Sequence, residues 1–95
     1  MQREQILNIL RVHRQGLEAR YGVTRLGIFG SVARDAATET SDIDIIVEMP
    51  PDLFQMVHMK EELEQLFGTS VDLLRNQSHL NVHLKRRIDN EAIYV

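Results

Sequence analysis

The sequence predicts a small α/β domain in which helices pack on one β-sheet, and three observations support that fold class. Apolar residues recur with helical spacing over Gln2–Arg20 and again over Leu53–Phe67. Three short runs rich in aliphatic and β-branched residues, Val23–Phe29, Asp42–Glu48 and Ser70–Leu74, have the composition of strands. Helical and strand-like segments alternate along the chain, which implies a single sheet covered by helices. Connections of this length permit either parallel or mixed pairing of the strands.

The first helix is expected to end at Tyr21-Gly22, because glycine is common directly after a helix. Its apolar stripe, which also contains His13, consists of Ile6, Ile9, Leu10 and Leu17. The first strand ends at Gly30, and a short helix over Ser31–Ala36 is predicted to follow. The polar segment Ala37–Ser41 is predicted to be a loop.

The second strand is ended by Pro50-Pro51, and Asp52 is placed to cap the helix Leu53–Phe67. That helix stops at Gly68, again with glycine just beyond its last turn. The side chains predicted to face inward from it are Phe54, Val57, Leu63, Leu66 and Phe67.

The last elements follow the third strand. A polar turn at Asn76–Ser78 leads to a predicted helix over His79–Asn90. Ala92–Val95 is expected to close the chain as a short fourth strand.

Length and composition limit the classes of protein that fit. Ninety-five residues suit one domain, taken here as residues 1–95. A net charge of −3 argues against tight non-specific nucleic-acid binding, and the absence of cysteine excludes disulfides, zinc–thiolate sites and thiol nucleophiles. There is no signal-peptide pattern and no apolar stretch of about 20 residues. We therefore expect a cytoplasmic protein with neither a membrane nor a direct nucleic-acid partner.

Carboxylates are concentrated in two of the strand-like runs. Asp42 and Asp44 lie two residues apart, so both point to the same face of a strand, whereas Ile43 points to the other. Two adjacent like charges repel, so the pair needs either a compensating cation or a position at an exposed, solvated end of the sheet. Asp72 lies in the next apolar run and can face the same way. Three converging carboxylates suit Mg²⁺, which prefers oxygen ligands and keeps waters and substrate phosphates.

A glycine and a serine stand where the first strand ends and the short helix begins. Free backbone N–H groups at such a junction can bind phosphate, and Gly30 lets the chain turn and a phosphate approach. Ser31 adds a hydroxyl group, although it could serve only as a helix cap. Arg34 is one turn further on and suits either a phosphate contact or a solvent-exposed position. No Walker A sequence occurs in the chain.

Gly30-Ser31, ten intervening residues and then Asp42-x-Asp44 resemble the signature of the DNA polymerase beta-like nucleotidyltransferase superfamily. The longer string GSVARDAATETSDIDIIVE is similar to the minimal nucleotidyltransferase (MNT) family, which includes the antitoxins of HEPN–MNT toxin–antitoxin pairs. The similarity continues through VDLL to the closing RRIDNEAIYV, so it covers most of the chain. One departure is Asp35, where relatives often carry glycine, and we expect it to affect the turn rather than the chemistry.

The resemblance implies a polymerase beta-like palm core with a mixed sheet. It implies that Asp42, Asp44 and Asp72 form the catalytic, metal-binding site, which holds two Mg²⁺ ions. Asp72 would complete the site and help to deprotonate the acceptor. The resemblance also implies that Gly30 and Ser31 hold the triphosphate of the substrate, ATP.

Size narrows the choice of function within this superfamily. Members that modify aminoglycosides or tRNA recruit their acceptors with additional domains, whereas this sequence ends almost as soon as the catalytic core is complete. We therefore predict a protein adenylyltransferase that transfers AMP from ATP to a cognate HEPN toxin and silences its RNase activity, with a tyrosine as the acceptor that the resemblance implies. One alternative is a non-catalytic antitoxin that neutralises its toxin by binding alone. Another is a small-molecule nucleotidyltransferase whose missing wall comes from a homodimer.

Other polar residues have simpler explanations. His79 and His83 have the spacing of metal ligands on a helix, but no third ligand accompanies them. Lys85–Arg87 is interpreted as a solvated helix face that could still meet an acidic partner or a polyphosphate. Asp72, taken alone, could equally cap a helix or face solvent.

Overall fold

Helices and strands alternate along the part of the chain that the computed structural model describes, which comprises residues 2–36, 42–77 and 79–95. Its helices are α1 Arg3–Tyr21, α2 Gly30–Ala33, α3 Leu53–Phe67 and α4 Val82–Glu91. Its strands are β1 Arg25–Ile28, β2 Ile43–Glu48, β3 Val71–Arg75 and β4 Ile93–Tyr94. The predicted order of elements is confirmed, whereas the predicted loop Ala37–Ser41 lies outside the described residues.

The sheet is mixed, which resolves the pairing that periodicity alone left open. Its strands lie in the order β3-β2-β1-β4. β2 and β3 are parallel, whereas β1 is antiparallel to both β2 and β4. This places β2 and β3, the two strands that carry aspartates, side by side.

Alternation along β2 divides the apolar side chains between the two faces of the sheet. Ile45 points to the face covered by α1 and α3, where most of the buried residues lie; we call this set the major core. Ile46 points to the opposite face, where it packs with Phe29 and Ile88 in a second cluster, the minor core. The buried residues of the major core are Ile6, Leu7, Leu10, Leu17, Val23, Leu26, Ile28, Val32, Ala33, Ile43, Ile45, Val47, Met49, Met59, Leu63, Phe67 and Val71. Asp44 is two residues from Ile46 and therefore lies on the minor-core face.

The predicted caps are present at the ends of the two long helices, α1 and α3. Gly22 and Gly68 have φ angles of 70° and 71°, and their N–H groups donate to the carbonyls of Glu18 and Glu64. This is the left-handed cap that glycine adopts without strain. Asp52 caps α3 by accepting a hydrogen bond of 3.2 Å from the Gln55 N–H. None of the described helices combines the length and apolar character of a membrane span.

The prediction for the inward face of α3 was partly wrong. Phe54 and Val57 are 81% and 48% exposed, whereas Met59 is fully buried. The helix packs through Met59, Leu63 and Phe67, which are spaced four residues apart and therefore share one face. Phe54 and Val57 lie on a different face.

The last helix begins later than predicted, at Val82 rather than His79. The reason is Asn81, whose side chain accepts hydrogen bonds from the N–H groups of His83 and Leu84 at 2.9 and 3.4 Å. His79 is therefore outside the helix, and the helical spacing considered for a His79–His83 metal pair does not exist.

α2 also differs from its prediction, since it covers Gly30–Ala33 rather than Ser31–Ala36. Its C-cap is Arg34, and the following residue, Asp35, is left-handed with φ of 58°. A non-glycine residue is strained in that region, although aspartate tolerates it better than most. Asp35, which stands where relatives often carry glycine, therefore affects the turn, as expected.

Candidate active site

The junction between β1 and α2 lies directly against β2. The Phe29 N–H donates to the Asp44 carbonyl at 3.0 Å, which extends the β1–β2 pairing by one residue. The chain then turns at Gly30, whose φ is 69°. A Cβ atom at Gly30 would overlap Asp44 Oδ2 and come within 3.2 Å of Asp44 Cγ. Glycine is needed here twice, for its backbone angle and for the space that the Asp44 carboxylate occupies.

The three predicted carboxylates lie on one side of the sheet. Asp44 and Asp72 are direct partners in the parallel β2–β3 register, so their side chains leave the sheet on the same face. Asp42 precedes β2 by one residue and belongs to the same alternation. Asp44 is partly buried, whereas Asp42 and Asp72 are exposed. The site thus has one sheltered carboxylate flanked by two that face solvent.

The pKa of Asp44 depends on its burial and on the neighbouring charges. Burial raises the pKa of Asp44, and the charges of Asp72 and then Asp42 raise it further. The positive charges of Arg87 and Arg34 act in the opposite direction on the same pKa. An ionised Asp44 is therefore destabilised in the protein alone and gains from any added cation.

The donor set fits a hard divalent cation. It consists of carboxylate oxygens, whose mutual repulsion a cation would relieve. Among the described residues, no three acidic or histidine side chains are placed as a group that could hold a metal ion by themselves. Mg²⁺ at this site would therefore depend on water and substrate phosphates for the rest of its coordination.

The predicted phosphate-binding residues meet the carboxylates at the start of α2. Ser31 follows Gly30 and is partly exposed. The first N–H groups of a helix have no helical partner, so this turn offers donors beside Asp44. Arg34 ends α2, and its Nη1 lies 3.0 Å from Glu91 Oε2. The structure thus places Arg34 in an ion pair with α4, within electrostatic range of Asp44.

Two residues near the site were missed by sequence reasoning. Arg87 had been interpreted only as part of the run Lys85–Arg87, a solvated helix face that could still meet an acidic partner or a polyphosphate, whereas in the structure its charge lowers the pKa of Asp44, as that of Arg34 does. Its Nη2 lies 3.9 Å from Glu91 Oε2, the same oxygen that pairs with Arg34. The four-residue spacing of Arg87 and Glu91 was visible in the sequence. The sequence did not show, however, that α4 turns this face toward α2, because that orientation depends on packing.

This geometry can do one kind of chemistry well. It combines a sheltered carboxylate, two exposed carboxylates, a glycine turn with free backbone donors and two guanidinium groups on one sheet edge. Such a set can hold a polyphosphate together with the cations that accompany it, and can bring a nucleophile to one of its phosphorus atoms.

Comparisons with known proteins agree with this chemistry. A profile described as the nucleotidyltransferase domain matches residues 10–95. The chain is 38% identical over 94 residues to the protein adenylyltransferase MntA of Thermococcus cleftensis, covering 97% of this chain and 94% of that protein. It is 38% identical over 93 residues to a candidate protein adenylyltransferase of Methanocaldococcus jannaschii, covering 96% of this chain and 95% of the relative.

Solved structures share the fold. A candidate minimal nucleotidyltransferase superposes with a TM-score of 0.75 at 35% identity, covering 98% of this chain and 95% of that one. A toxin–antitoxin structure with AMP-PNP has a TM-score of 0.70 at 20% identity, with coverage of 99% and 72%. The MNT antitoxin complex with the tri-AMPylated HEPN toxin of Shewanella oneidensis has a TM-score of 0.68 at 17% identity, with coverage of 97% and 70%.

Proposed function

Because this chain belongs to the nucleotidyltransferase domain family, we propose that it is an Mg²⁺-dependent adenylyltransferase that moves AMP from ATP to a tyrosine hydroxyl of a HEPN-type toxin. Membership of the family confirms the resemblance carried by the Gly-Ser and Asp-x-Asp motifs. The chain is a nucleotidyltransferase enzyme, and its relatives over nearly their full length are protein adenylyltransferases. We propose three further points: the identity of the metal, the acceptor residue and the role of each side chain in the site.

One observation carries the proposal: the close packing of Gly30 on the Asp44 carboxylate, with Asp72 paired to Asp44 across the sheet. It brings the phosphate-binding turn and the metal-binding carboxylates, which are separate in sequence, to the same point. A triphosphate bound at the turn would therefore have its phosphorus atoms beside the carboxylates.

Each residue of the site has a part in the transfer. Asp42, Asp44 and Asp72 would hold Mg²⁺, which when bound neutralises phosphate charge and makes the acceptor hydroxyl more acidic. The acceptor oxygen forms a bond to the α-phosphorus, the bond from that phosphorus to the β-bridging oxygen breaks, and pyrophosphate leaves with the electron pair. Asp72 accepts the hydroxyl proton, since it is exposed and lies on the edge strand β3 where an acceptor can approach. Gly30 and Ser31 keep the triphosphate in place through backbone and hydroxyl donors.

The acceptor would come from a second protein. Large apolar side chains at the start of α3, Leu53 and Phe54, are 75% and 81% exposed. Exposed apolar groups of this kind are typical of surfaces that meet a partner. Leu53 lines a groove together with Met56, Val57 and Lys60, and this groove reaches Leu73 on β3. Leu73 lies on the major-core face of β3, so a toxin seated there would extend its tyrosine around this end strand of the sheet to reach the carboxylates on the other face.

Intact mass spectrometry tests the proposal. The HEPN-type protein encoded next to this chain is incubated with it, ATP and Mg²⁺, and we expect added mass in units of AMP. The double change Asp42→Asn and Asp44→Asn should lower the transfer rate on the order of 10³-fold or more, since metal ions contribute several kcal/mol to such reactions. Glu61→Gln is the matched control, because Glu61 is exposed on α3, and α3 packs on the major-core face of the sheet, away from the carboxylates.

Peptide mapping of the modified toxin then tests the acceptor. A tyrosine should carry the AMP, and its replacement by phenylalanine should abolish the added mass. Unmodified toxin after incubation with active protein, ATP and Mg²⁺ would refute the proposal.

The exposed apolar surface also favours a second candidate, an antitoxin that acts by contact alone. The double variant Asp42→Asn and Asp44→Asn distinguishes the two functions. A contact antitoxin would still neutralise the toxin when both aspartates are changed, whereas an adenylyltransferase would lose most of its protection.

A further inference from the structure

Two arginines from different helices share one glutamate beside the carboxylates. Arg34, at the end of α2, and Arg87, on α4, approach the same Glu91 oxygen at 3.0 and 3.9 Å. The Glu91 side chain is only 23% exposed, whereas those of Arg34 and Arg87 are 49% and 57% exposed. The glutamate is therefore anchored, while both guanidinium groups keep access to solvent and to a ligand.

The minor core fixes where Arg87 lies. Its neighbour Ile88 is fully buried against Phe29 and Ile46. Phe29 directly precedes Gly30, and Ile46 lies two residues from Asp44 on the same face of β2. The packing of one side chain of α4 thus holds the adjacent arginine near both the phosphate-binding turn and the carboxylates.

The other cations of α4 are placed differently. Lys85 donates to Asn76 Oδ1 at 2.8 Å and lies 3.8 Å from Asp89. Arg86 is the residue before Arg87, so it points about 100° away around the helix. Of this run, Arg87 has the side chain that pairs with Glu91.

We propose that Arg87, held with Arg34 by Glu91, binds the β- and γ-phosphates of the nucleoside triphosphate and stabilises the departing pyrophosphate. A guanidinium group suits this task because it donates two parallel hydrogen bonds to phosphate oxygens and stays charged. When the α-phosphorus–oxygen bond breaks, the electron pair remains on pyrophosphate, and Arg87 faces that growing charge. Glu91 touches no substrate and is a positioning residue. The inference rests on the proposed function only in taking a triphosphate as the ligand.

Titration calorimetry with α,β-methylene-ATP and Mg²⁺, without any acceptor, tests this directly, because that analogue cannot release pyrophosphate. Arg87→Gln should weaken binding about 10- to 100-fold, the usual loss for one charged hydrogen-bonding group. The affinity of Arg87→Lys for α,β-methylene-ATP should lie between those of Arg87→Gln and the unchanged protein. Arg86→Gln is the matched control and should change the affinity less than about 3-fold.

AMP is the second probe, because it lacks the two phosphates assigned to Arg87. Arg87→Gln should leave the affinity for AMP within about 2-fold of its original value, a selectivity that general damage to the fold would not produce. Glu91→Gln should weaken α,β-methylene-ATP binding by a smaller factor and likewise spare AMP. Equal binding of α,β-methylene-ATP by Arg87→Gln and Arg86→Gln would overturn the inference, as would a parallel loss of AMP binding.

These outcomes are distinct from a failure of the proposed function. If the toxin is never modified but Arg87→Gln still loses the triphosphate selectively, the role of Arg87 stands and the acceptor is wrong. If the unchanged protein binds no α,β-methylene-ATP with Mg²⁺, both are wrong.

Discussion

The two faces of the sheet are built from the same strands but serve different purposes. The face under α1 and α3 carries the major core and is closed by aliphatic side chains. Among the described residues, the minor core of the opposite face has three buried members and several partly buried neighbours, and the same face carries Asp44, Asp72 and the turn proposed to bind phosphate. Stability is thus concentrated on one face, which leaves the other free to hold mutually repelling charges that lower stability in the absence of a ligand.

The sharpest test of this division compares neighbours on β2. Ile45 and Ile46 are both fully buried, but they point to opposite faces. Ile45→Ala should lower the free energy of unfolding by about 2–5 kcal/mol and lie near the upper end of that range, because its site in the major core cannot collapse. For Ile46→Ala the loss in free energy of unfolding should lie near the lower end of the same range. Several of its neighbours in the minor core are only partly buried and can move to fill the space. Urea unfolding at constant m-value measures both, and equal losses would contradict the division.

A smaller effect is expected at two of the three described glycines with left-handed backbones, Gly30 and Gly68. Gly68→Ala meets nothing within 4 Å, so it should cost only the backbone strain, about 1–2 kcal/mol. Gly30→Ala carries the same strain and also displaces the Asp44 carboxylate. Thermal unfolding should show the greater loss for Gly30→Ala, and the AMP-transfer assay should show activity only for Gly68→Ala. An active Gly30→Ala protein would mean that the Asp44 position is not critical.

The smallest effect concerns two carboxylates whose pKa values shift in opposite directions. Burial and the neighbouring Asp72 and Asp42 raise the pKa of Asp44. For Glu62 on α3, burial raises the pKa, but hydrogen bonds from Arg20 and Tyr21 outweigh burial and lower it. Ionisation of Asp44 therefore destabilises the metal-free protein above its unfolded pKa, whereas ionisation of Glu62 stabilises it.

Unfolding measured in EDTA across the acid range should show both signs. At neutral pH, Asp44→Asn should be more stable than the unchanged protein and Glu62→Gln less stable. Both differences should shrink as the pH falls, since the unchanged carboxylates become protonated. Added Mg²⁺ should narrow the Asp44→Asn advantage by stabilising the unchanged protein alone. A less stable Asp44→Asn protein in EDTA would show that the carboxylate contributes to folding.

The sequence was informative where one local rule decided the outcome. Glycine at helix ends, Asp52 as a cap and the alternation around Asp42 and Asp44 each depend on a few neighbouring residues, and the structure confirms those elements. The inward face of α3 was harder, because Phe54 and Met59 are both apolar and only the position of the sheet selects between them. The start of α4 depended on whether Asn81 or an earlier residue would cap it.

The carboxylate set was predictable because its residues have a recognisable spacing, whereas the arginine pair was not. Arg87 reaches the site only because Ile88 packs into the minor core, 42 residues after Ile46 in the chain. No spacing rule relates such distant residues. Contacts that cross from one helix to another thus limit what can be predicted about a site from one sequence.

The pairing of Asp44 with Asp72 makes correct strand alignment a condition of chemistry. A shift of β3 by one residue would turn Asp72 to the major-core face and is opposed by burial of its carboxylate. A shift by two residues would keep every side chain on its own face, yet it would place Leu74 or Ser70, depending on its direction, opposite Asp44. Because each side chain keeps its face, apolar burial distinguishes that misaligned sheet from the native one less than a one-residue shift does, whereas a metal–nucleotide complex bound as proposed would require the native alignment. Substrate binding would therefore stabilise the native register of β2 and β3, the one in which Asp44 and Asp72 are paired, over the misaligned one.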